Sequence, residues 1–398
     1  MKTVAIISEY NPFHSGHKYQ IEKIREEFGA DTAVVAVMSG NFTQRGEIAF
    51  APKDARAKAA VLSGVNLVLE LPFPFSSSSA EIFAKSGVKI AESISADYLS
   101  FGSESGDINE LIRVSKIMNS EEYANAFSTL AENKKLGYPE KCELAYKQLS
   151  SENFAFTSNN ILALEYIKAI ESLGAKIKPH TIKRSGADYD SEKITNQPHQ
   201  SAMAIRNAFL NIDFKALEFL PEETKSLLIS LHNNGEIPTD VARLSTAIIA
   251  YLRLNPPSQN EEIYDAGDGL YNRLYNESFK ANDISTLLLH TETKKFTKAR
   301  IRRALLNVFF GVTSSDVKTL PKYTQILAMD NVGMQILKKT RKTRDIRILT
   351  KPSDFKDFNE DALRQKILSD KADAIFELAK PIPGDGASSL RFTPYVKK

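Results

Sequence analysis

The sequence predicts an α/β fold: a parallel sheet with helices on both faces, followed by a mainly helical C-terminal domain. Three observations predict it. Short β-branched apolar runs alternate with helical segments four times before residue 105, with short links between them, a pattern that parallel sheets produce. The residues with the most distinctive chemistry fall where those strands end, and ligands of such sheets bind at the carboxyl ends of strands. Past residue 210 the strand signals fade and helical spacing takes over.

In order, Val4-Ala5-Ile6-Ile7 reads as a first buried strand and Asn11-Pro12 as a turn. A helix opens near Ser15, with Ile21, Ile24 and Phe28 on one face, and stops at Gly29. Residues 32–38 form a second apolar strand, followed by the polar loop 39–47. Residues 53–63 are Ala- and Lys-rich and helical; 66–71 form a third strand stopped by Pro72. A helix at 80–95 leads to a fourth strand, 97–101, which ends at Gly102-Ser103-Glu104. Residues 107–157 look like a helical insertion, and Asn159-Asn160 precede a helix at 161–173. Residues 176–182 form an edge strand leading into the positive loop Lys183-Arg184-Ser185-Gly186, and 188–200 read as polar and mobile. Ser201 N-caps a helix running through Arg206. The first domain is expected over 1–210 and the second over 211–398. Helices are expected at 240–253, 260–276, 283–289, 295–310 and 322–338, with a small β element near 345–349.

The chain of 398 residues is long enough for two domains. Its one cysteine, Cys142, allows no internal disulfide and no multi-cysteine zinc site. The start lacks the basic and apolar regions of a secretory signal, and no apolar run approaches the roughly 20 residues a bilayer requires. The expectation is therefore a cytoplasmic protein with no membrane partner.

The stretch that organises the rest is His14-Ser15-Gly16-His17, at the junction of the first strand and helix. Helix N-termini carry unpaired N–H groups and partial positive charge, so they bind phosphate. Two imidazole donors beside such amides suit a nucleotide α-phosphate. There is no Gly-x-x-x-x-Gly-Lys-Ser/Thr and no Gly-x-Gly-x-x-Gly after the first strand, so neither a P-loop nor a dinucleotide fingerprint is present. His14 and His17 lack a convincing third metal ligand, so no protein-held metal is expected. Asn41, Gln44 and Arg45 are candidates to line a phosphate or acetate pocket, with a structural turn as the alternative. His180, His199, His232 and His290 have no local company and read as structural or surface residues.

Charge is unevenly spread. Residues 291–351 hold fifteen Lys or Arg against four Asp or Glu, a net +11, whereas the whole chain carries +3. The remainder is thus about −8. Two clusters, 294–303 and 338–344, point to a polyanion such as RNA or DNA. Phosphate contacts do not name its sequence.

The His-x-Gly-His stretch resembles the HIGH-type nucleotidyltransferases, which implies a Rossmann-like nucleotidyltransferase domain. Ser201 to Arg206 is similar to that superfamily's second motif, Ser-x-Thr-x-Ile-Arg, with Met203 in place of the Thr. A closer resemblance is to the bacterial tRNA(Met) cytidine acetate ligases. It rests on residues 8–17, 39–46, 69–72, 101–104, 158–162, 181–184 and 300–306. The resemblance implies an ATP-dependent ligase that makes acetyl-adenylate and acetylates the wobble cytidine of elongator tRNA(Met). It implies ATP contacts at Ile7, Ser8, Glu9, Tyr10, Asn11, Pro12, Phe13, His14, Ser15, Gly16, His17, Lys18, Tyr19, Gln20, Gly102, Asn160 and Arg184.

His14 and His17 are the expected catalytic donors, with Lys183 or Arg184 at the phosphates, Lys183 and Arg206 as further candidates for the phosphate or acetate pocket, and Mg²⁺ held mainly by the ATP phosphates. Acetate is the expected co-substrate. Lys298, Arg300, Arg302, Arg303, Lys338, Lys339 and Arg341 are expected to grip tRNA; no obligate protein partner is evident. Two other readings stay open on the residues alone. One is a nucleotidyltransferase for a small phosphorylated metabolite; the other is a catalytically silent RNA-binding protein.

Overall fold

Valine, isoleucine and alanine fill the first strands because both faces of each are covered. The computed structural model describes residues 1–131, 136–184, 193–195, 197, 199–211, 213–258 and 262–398. The loop expected at Ser185-Gly186 and part of the stretch 188–200 lie outside them. The strands are β1 (Thr3–Ser8), β2 (Ala33–Ser39), β3 (Leu67–Leu71), β4 (Tyr98–Ser103), β5 (Lys178–Lys183), β6 (Tyr323–Met329), β7 (Arg347–Leu349) and β8 (Tyr395–Val396). Their order is β5-β4-β1-β2-β3-β6-β7, with β8 paired to β6. The first five are mutually parallel, whereas β6 runs antiparallel to β3.

Helices α1 (Ser15–Phe28), α2 (Lys53–Leu62), α3 (Ala80–Ser93), α4 (Ile108–Met118), α5 (Glu121–Ala131), α6 (Tyr138–Lys147) and α7 (Ser158–Ser172) belong to the N-terminal half. Successive side chains on a strand point to opposite faces. Val4 and Ile6 therefore pack with Ile21 and Ile24 of α1, and Ala5 and Ile7 with Phe83 of α3 and Leu164 of α7. The chain steps outward from β1 to β2 and β3, then crosses to the other side of β1 for β4 and β5. The strand order reverses between β1 and β4, and their carboxyl ends frame the crevice where such sheets bind ligands. The expected insertion is helical, as α4 to α6, and packs Leu111, Val114, Cys142 and Tyr146 against the core around α7.

The remaining helices are α8 (Ala202–Leu210), α9 (Glu222–Asn233), α10 (Ser245–Leu254), α11 (Leu270–Ser278), α12 (Ile284–Thr291), α13 (Lys298–Phe310), α14 (Ser314–Lys318), α15 (Asn331–Thr340) and α16 (Glu360–Glu377). Two expectations need correction. Residues 322–338 are not one helix: β6 comes first, and Asp330 then caps α15 by accepting from Gly333 N–H at 3.0 Å. The C-terminal half thus returns to complete the N-terminal sheet. The stretch 262–269 is turns rather than helix, because Asp265 and Asp268 hold positive φ and a helix cannot pass through them. The strand expected near 345–349 is present as β7.

A buried ion cluster seals the two halves together. Lys53 Nζ of α2 lies 2.6 Å from both Glu70 of β3 and Asp373 of α16. Burial opposes the ammonium charge, but the two carboxylates more than offset it and hold its pKa above the ordinary value.

Candidate active site

The site is built at the α1 N-terminus. Tyr10 takes a positive φ of 47° and turns the chain from β1 toward α1. His14 is the N-cap: its Nδ1 accepts from Gly16 N–H at 3.1 Å. His17 reaches back, and its Nδ1 accepts from His14 N–H at 3.2 Å. The two rings lie 3.8 Å apart, tilted by 31°. A Cβ on Gly16 would sit 2.9 Å from His14 Cε1, so the glycine makes room for the capping imidazole itself.

This geometry fixes the protonation state. Both Nδ1 atoms accept backbone N–H groups, so neither carries a proton, and each neutral ring keeps its proton on Nε2. Burial lowers the His14 pKa to about 3, assisted by the nearby Arg184, His199 and Arg206. Burial, then His14 and Arg184, also hold His17 well below the ordinary histidine value. At neutral pH the pair offers two Nε2–H donors and no fixed charge.

Around them lies an open cleft. Its walls include Ser8, Glu9 and Asn11 at and beyond the end of β1, Gln44, Arg45 and Glu47 after β2, Phe101 and Gly102 of β4, and Lys183 and Arg184 at the end of β5. Helices α7 and α8 also aim their N-termini at it, through Asn159 and through Ser201 to Met203. Three helix N-termini and four cationic side chains, against the carboxylates Glu9 and Glu47, make the cleft a receptor for a polyanion. Ile7, Phe83, Leu162, Tyr166 and Ile182 give it an apolar wall.

The loops are pinned from below by Arg56 of α2, which is under 2% exposed. It donates to the main-chain oxygens of Ala51 (2.9 Å), Ser39 (3.2 Å), Glu9 and Gly40. Burial lowers its pKa to about 10, so it stays charged at neutral pH. Glu9 accepts from Gln44 N–H at 3.0 Å, and burial raises its pKa.

The structure brings together most of the residues singled out from sequence. Ile7, Ser8, Glu9, Tyr10, Asn11, His14, Gly16, His17, Tyr19, Gln20, Gly102, Arg184, Gln44, Arg45, Lys183 and Arg206 line the cleft. Pro12, Phe13, Ser15, Lys18, Asn41 and Asn160 are not among its lining residues. Asn41 is a correction: it is buried behind the loop, donating to Asp373 at 2.9 Å and accepting from Lys53 N–H at 2.9 Å. Asn160 and Glu104 hold each other. Asn160 Oδ1 accepts from the N–H groups of Glu104 and Ser105, and Glu104 caps α7 by accepting from Asn160 N–H at 2.9 Å.

Sequence reasoning missed His199. Its Nδ1 lies 3.1 Å from Ser15 Oγ, its ring 5.2 Å from that of Tyr19, and it lines the cleft. The available signal was its position two residues before the Ser201 N-cap, at a helix end beyond the edge strand. His180, His232 and His290 lie outside the cleft; His180, for example, bridges Ser100 and Glu27. Arg300, Arg302 and Arg303, expected on a tRNA face, are instead ion-paired within the chain to Asp265, Asp268 and Glu47. Lys338, Lys339 and Arg341 are exposed. Among the described residues no three His, Cys, Asp or Glu side chains gather to hold a metal, and no helix is long and apolar enough to cross a membrane.

A mostly parallel sheet with a His-x-Gly-His helix terminus at its switch point defines a HIGH-type nucleotidyltransferase, and the HIGH Nucleotidyl Transferase family model matches residues 1–383. The tRNA(Met) cytidine acetate ligase of a Thermoanaerobacter species is 35% identical over 90% of this chain and 90% of its own. That of Caldanaerobacter subterraneus is 36% identical over 91% and 92%. The chain belongs to the tRNA(Met) cytidine acetate ligase family. The apo structure of Thermotoga maritima TmcAL superposes with a TM-score of 0.91 at 30% identity, covering 100% of this chain and 99% of that one. A second TmcAL structure, bound with alpha-thio ATP, gives 0.89.

Proposed function

We propose that this chain activates acetate with ATP and transfers the acetyl group to the wobble cytidine of elongator tRNA(Met), forming N4-acetylcytidine. In the first step an acetate oxygen attacks the ATP α-phosphorus and pyrophosphate leaves, giving acetyl-adenylate. In the second, the cytidine exocyclic amine attacks the acetyl carbonyl. A C–N bond forms, the bond to AMP breaks, and the amine gives up one proton.

The observation that carries this reading is the neutral, doubly capped His14–His17 pair at the α1 terminus, at the reversal of strand order. Attack on the α-phosphate places added charge on its oxygens, and preorganised donors aimed there stabilise it; losing one costs on the order of a hundredfold in rate. His14, His17 and the α1 amides fill that role. The cleft-lining residues between Ile7 and Gln20, with Gly102 and Arg184, form the ATP site, and Asn160 supports it by fixing the turn after β4. Lys183 and Arg184 take the leaving pyrophosphate. Gln44, Arg45 and Arg206 serve the remaining phosphate or acetate oxygens. Mg²⁺ enters as part of the substrate, held by the ATP phosphates, which suits a cleft richer in cations than in carboxylates. Residues 1–210 hold the catalytic cleft and 211–398 supply the tRNA-binding face, with Lys298, Lys338, Lys339 and Arg341 on the RNA backbone.

The deciding experiment supplies ATP, radiolabelled acetate and bacterial tRNA. Label is expected in tRNA(Met) as N4-acetylcytidine, and acetyl-adenylate is expected without tRNA. Absence of label from both would remove the acetate reading.

A further inference from the structure

Glu47 stands where the cleft meets helix α13. One carboxylate oxygen accepts from Arg206 Nη2 at 3.3 Å, and the other pairs with Arg302 Nη1 at 2.5 Å. Arg206 lines the cleft, and its other terminal nitrogen donates to the Asn11 main-chain oxygen at 2.8 Å, in the turn that leads to His14. The loop that carries Glu47 is docked on α13. Gly46 has φ +71°, and a Cβ there would lie 2.6 Å from Arg303 N and 2.8 Å from the Arg302 carbonyl carbon. Thr43 closes the loop, its N–H donating to Glu47 O at 2.9 Å and its Oγ1 to the same atom at 3.3 Å.

The neighbouring arginines are turned inward as well. Arg303 pairs with Asp265 at 2.7 Å, and Arg300 with Asp268 at 2.9 Å and Asp265 at 3.3 Å. A cation that grips an RNA backbone must present its donors outward. These donors are committed to the chain's own carboxylates.

We propose that Glu47 and Arg302 are positioning residues for acetate activation: Arg302 orients Glu47, and Glu47 orients Arg206 in the cleft. Arginine donates through a planar fork, so two fixed acceptors, Asn11 O and Glu47, set its direction. Paired with Arg206 alone, Glu47 would cancel the arginine's field in the cleft. Shared with Arg302, it leaves the trio at net +1, and Arg206 retains attraction for an anionic substrate. On this account α13 is part of the adenylation apparatus, although its sequence looks like an RNA-binding helix. The inference rests on the proposed acetate activation, and it moves Arg302 out of the tRNA-binding set.

The test is acetate-dependent ATP–pyrophosphate exchange without tRNA, with the affinity for ATP alone measured by calorimetry. Arg302→Gln is expected to lower kcat/KM for exchange by about ten- to a hundredfold, the scale on which misplaced active-site groups cost rate. Arg302→Lys, which keeps the charge and a donor, is expected to recover most of it and guards against a folding defect. Glu47→Gln, which removes the acceptor that orients Arg206 but leaves its charge unopposed, should also lower exchange, and the double variant should be no worse than the weaker single, because the two act as one unit. Wild-type exchange in Arg302→Gln with weakened tRNA binding would overturn the proposal, as would losses that add in the double variant. If the wild type binds ATP but shows no acetate-dependent exchange, the acetate reading falls by itself. The ATP affinity of Arg302→Gln then decides the positioning role, and an unchanged Kd would overturn it.

Discussion

At the scale of single residues, the two histidines at the α1 terminus are informative because the ring of each is held by a backbone N–H of the same turn, His14 by Gly16 and His17 by His14. His14 caps through Nδ1, so protonating it removes the cap as well as changing the charge. Its folded pKa of about 3 lies below the ordinary 6.5, so the unfolded chain takes up the proton first as pH falls. The stability it contributes is complete above about pH 6.5 and is lost toward pH 3, by up to about 1.4 kcal/mol per pH unit. His14→Asn keeps an N-capping side chain but does not titrate in this range. Urea midpoints of that variant are expected to fall less between pH 7 and pH 5 than those of the wild type. A parallel fall would assign the titration to another group. His199 makes a second case. It braces Ser15 and Tyr19, two residues of the first turns of α1. His199→Ala is expected to weaken ATP binding several-fold, and His199→Phe, which keeps the ring contact, less so. Equal calorimetric affinities in all three proteins would reduce His199 to packing.

At the scale of elements, the loops at the carboxyl ends of β1 and β2 are shaped by one side chain from beneath. Arg56 supplies donors to four main-chain oxygens that have little access to water. Arg56→Met would leave them unpaired, at a cost of roughly 3 kcal/mol or more by chemical denaturation. A loss under about 1 kcal/mol would mean that water replaces the guanidinium. The same elements mark the limits of sequence reading. Strands β1 to β4 were legible because short apolar runs, Val- and Ile-rich in β1 and β2 and Leu- or aromatic-rich in β3 and β4, end at proline, glycine or polar loops, and the His-x-Gly-His turn was legible because it follows one of them. Strand β6 was not. Ile326, Leu327, Met329, Val332, Ile336 and Leu337 fit helical spacing, and only the capping role of Asp330 separates strand from helix. Nor could spacing reveal Glu47 with Arg302, or Lys53 with Asp373. Pairs 255 and 320 residues apart leave no local pattern. Arginine clusters look alike in sequence whether they face solvent or their own carboxylates.

At the scale of the whole molecule, the basic region therefore divides in two. Arg300, Arg302 and Arg303 neutralise Asp265, Asp268 and Glu47 and tie α13 to the cleft. Lys338, Lys339, Arg341 and Lys342, around the C-terminal end of α15, remain exposed. That end carries the negative pole of the helix dipole, which favours the cations locally and leaves their charge directed at solvent. If these cations hold the tRNA backbone, removing them should act through released counterions. Replacing Lys338, Lys339 and Arg341 with alanine together is expected to weaken tRNA binding by a similar factor for every tRNA tested, since phosphate contacts carry no sequence information. The slope of log affinity against log salt should shrink by about 0.7 to 0.9 for each phosphate that the variant no longer neutralises. Acetyl-adenylate formation without tRNA should match the wild type, because none of the three residues lines the cleft. Filter binding across a salt series measures the first two quantities and pyrophosphate release the third. A slope equal to that of the wild type would place the tRNA face away from α15.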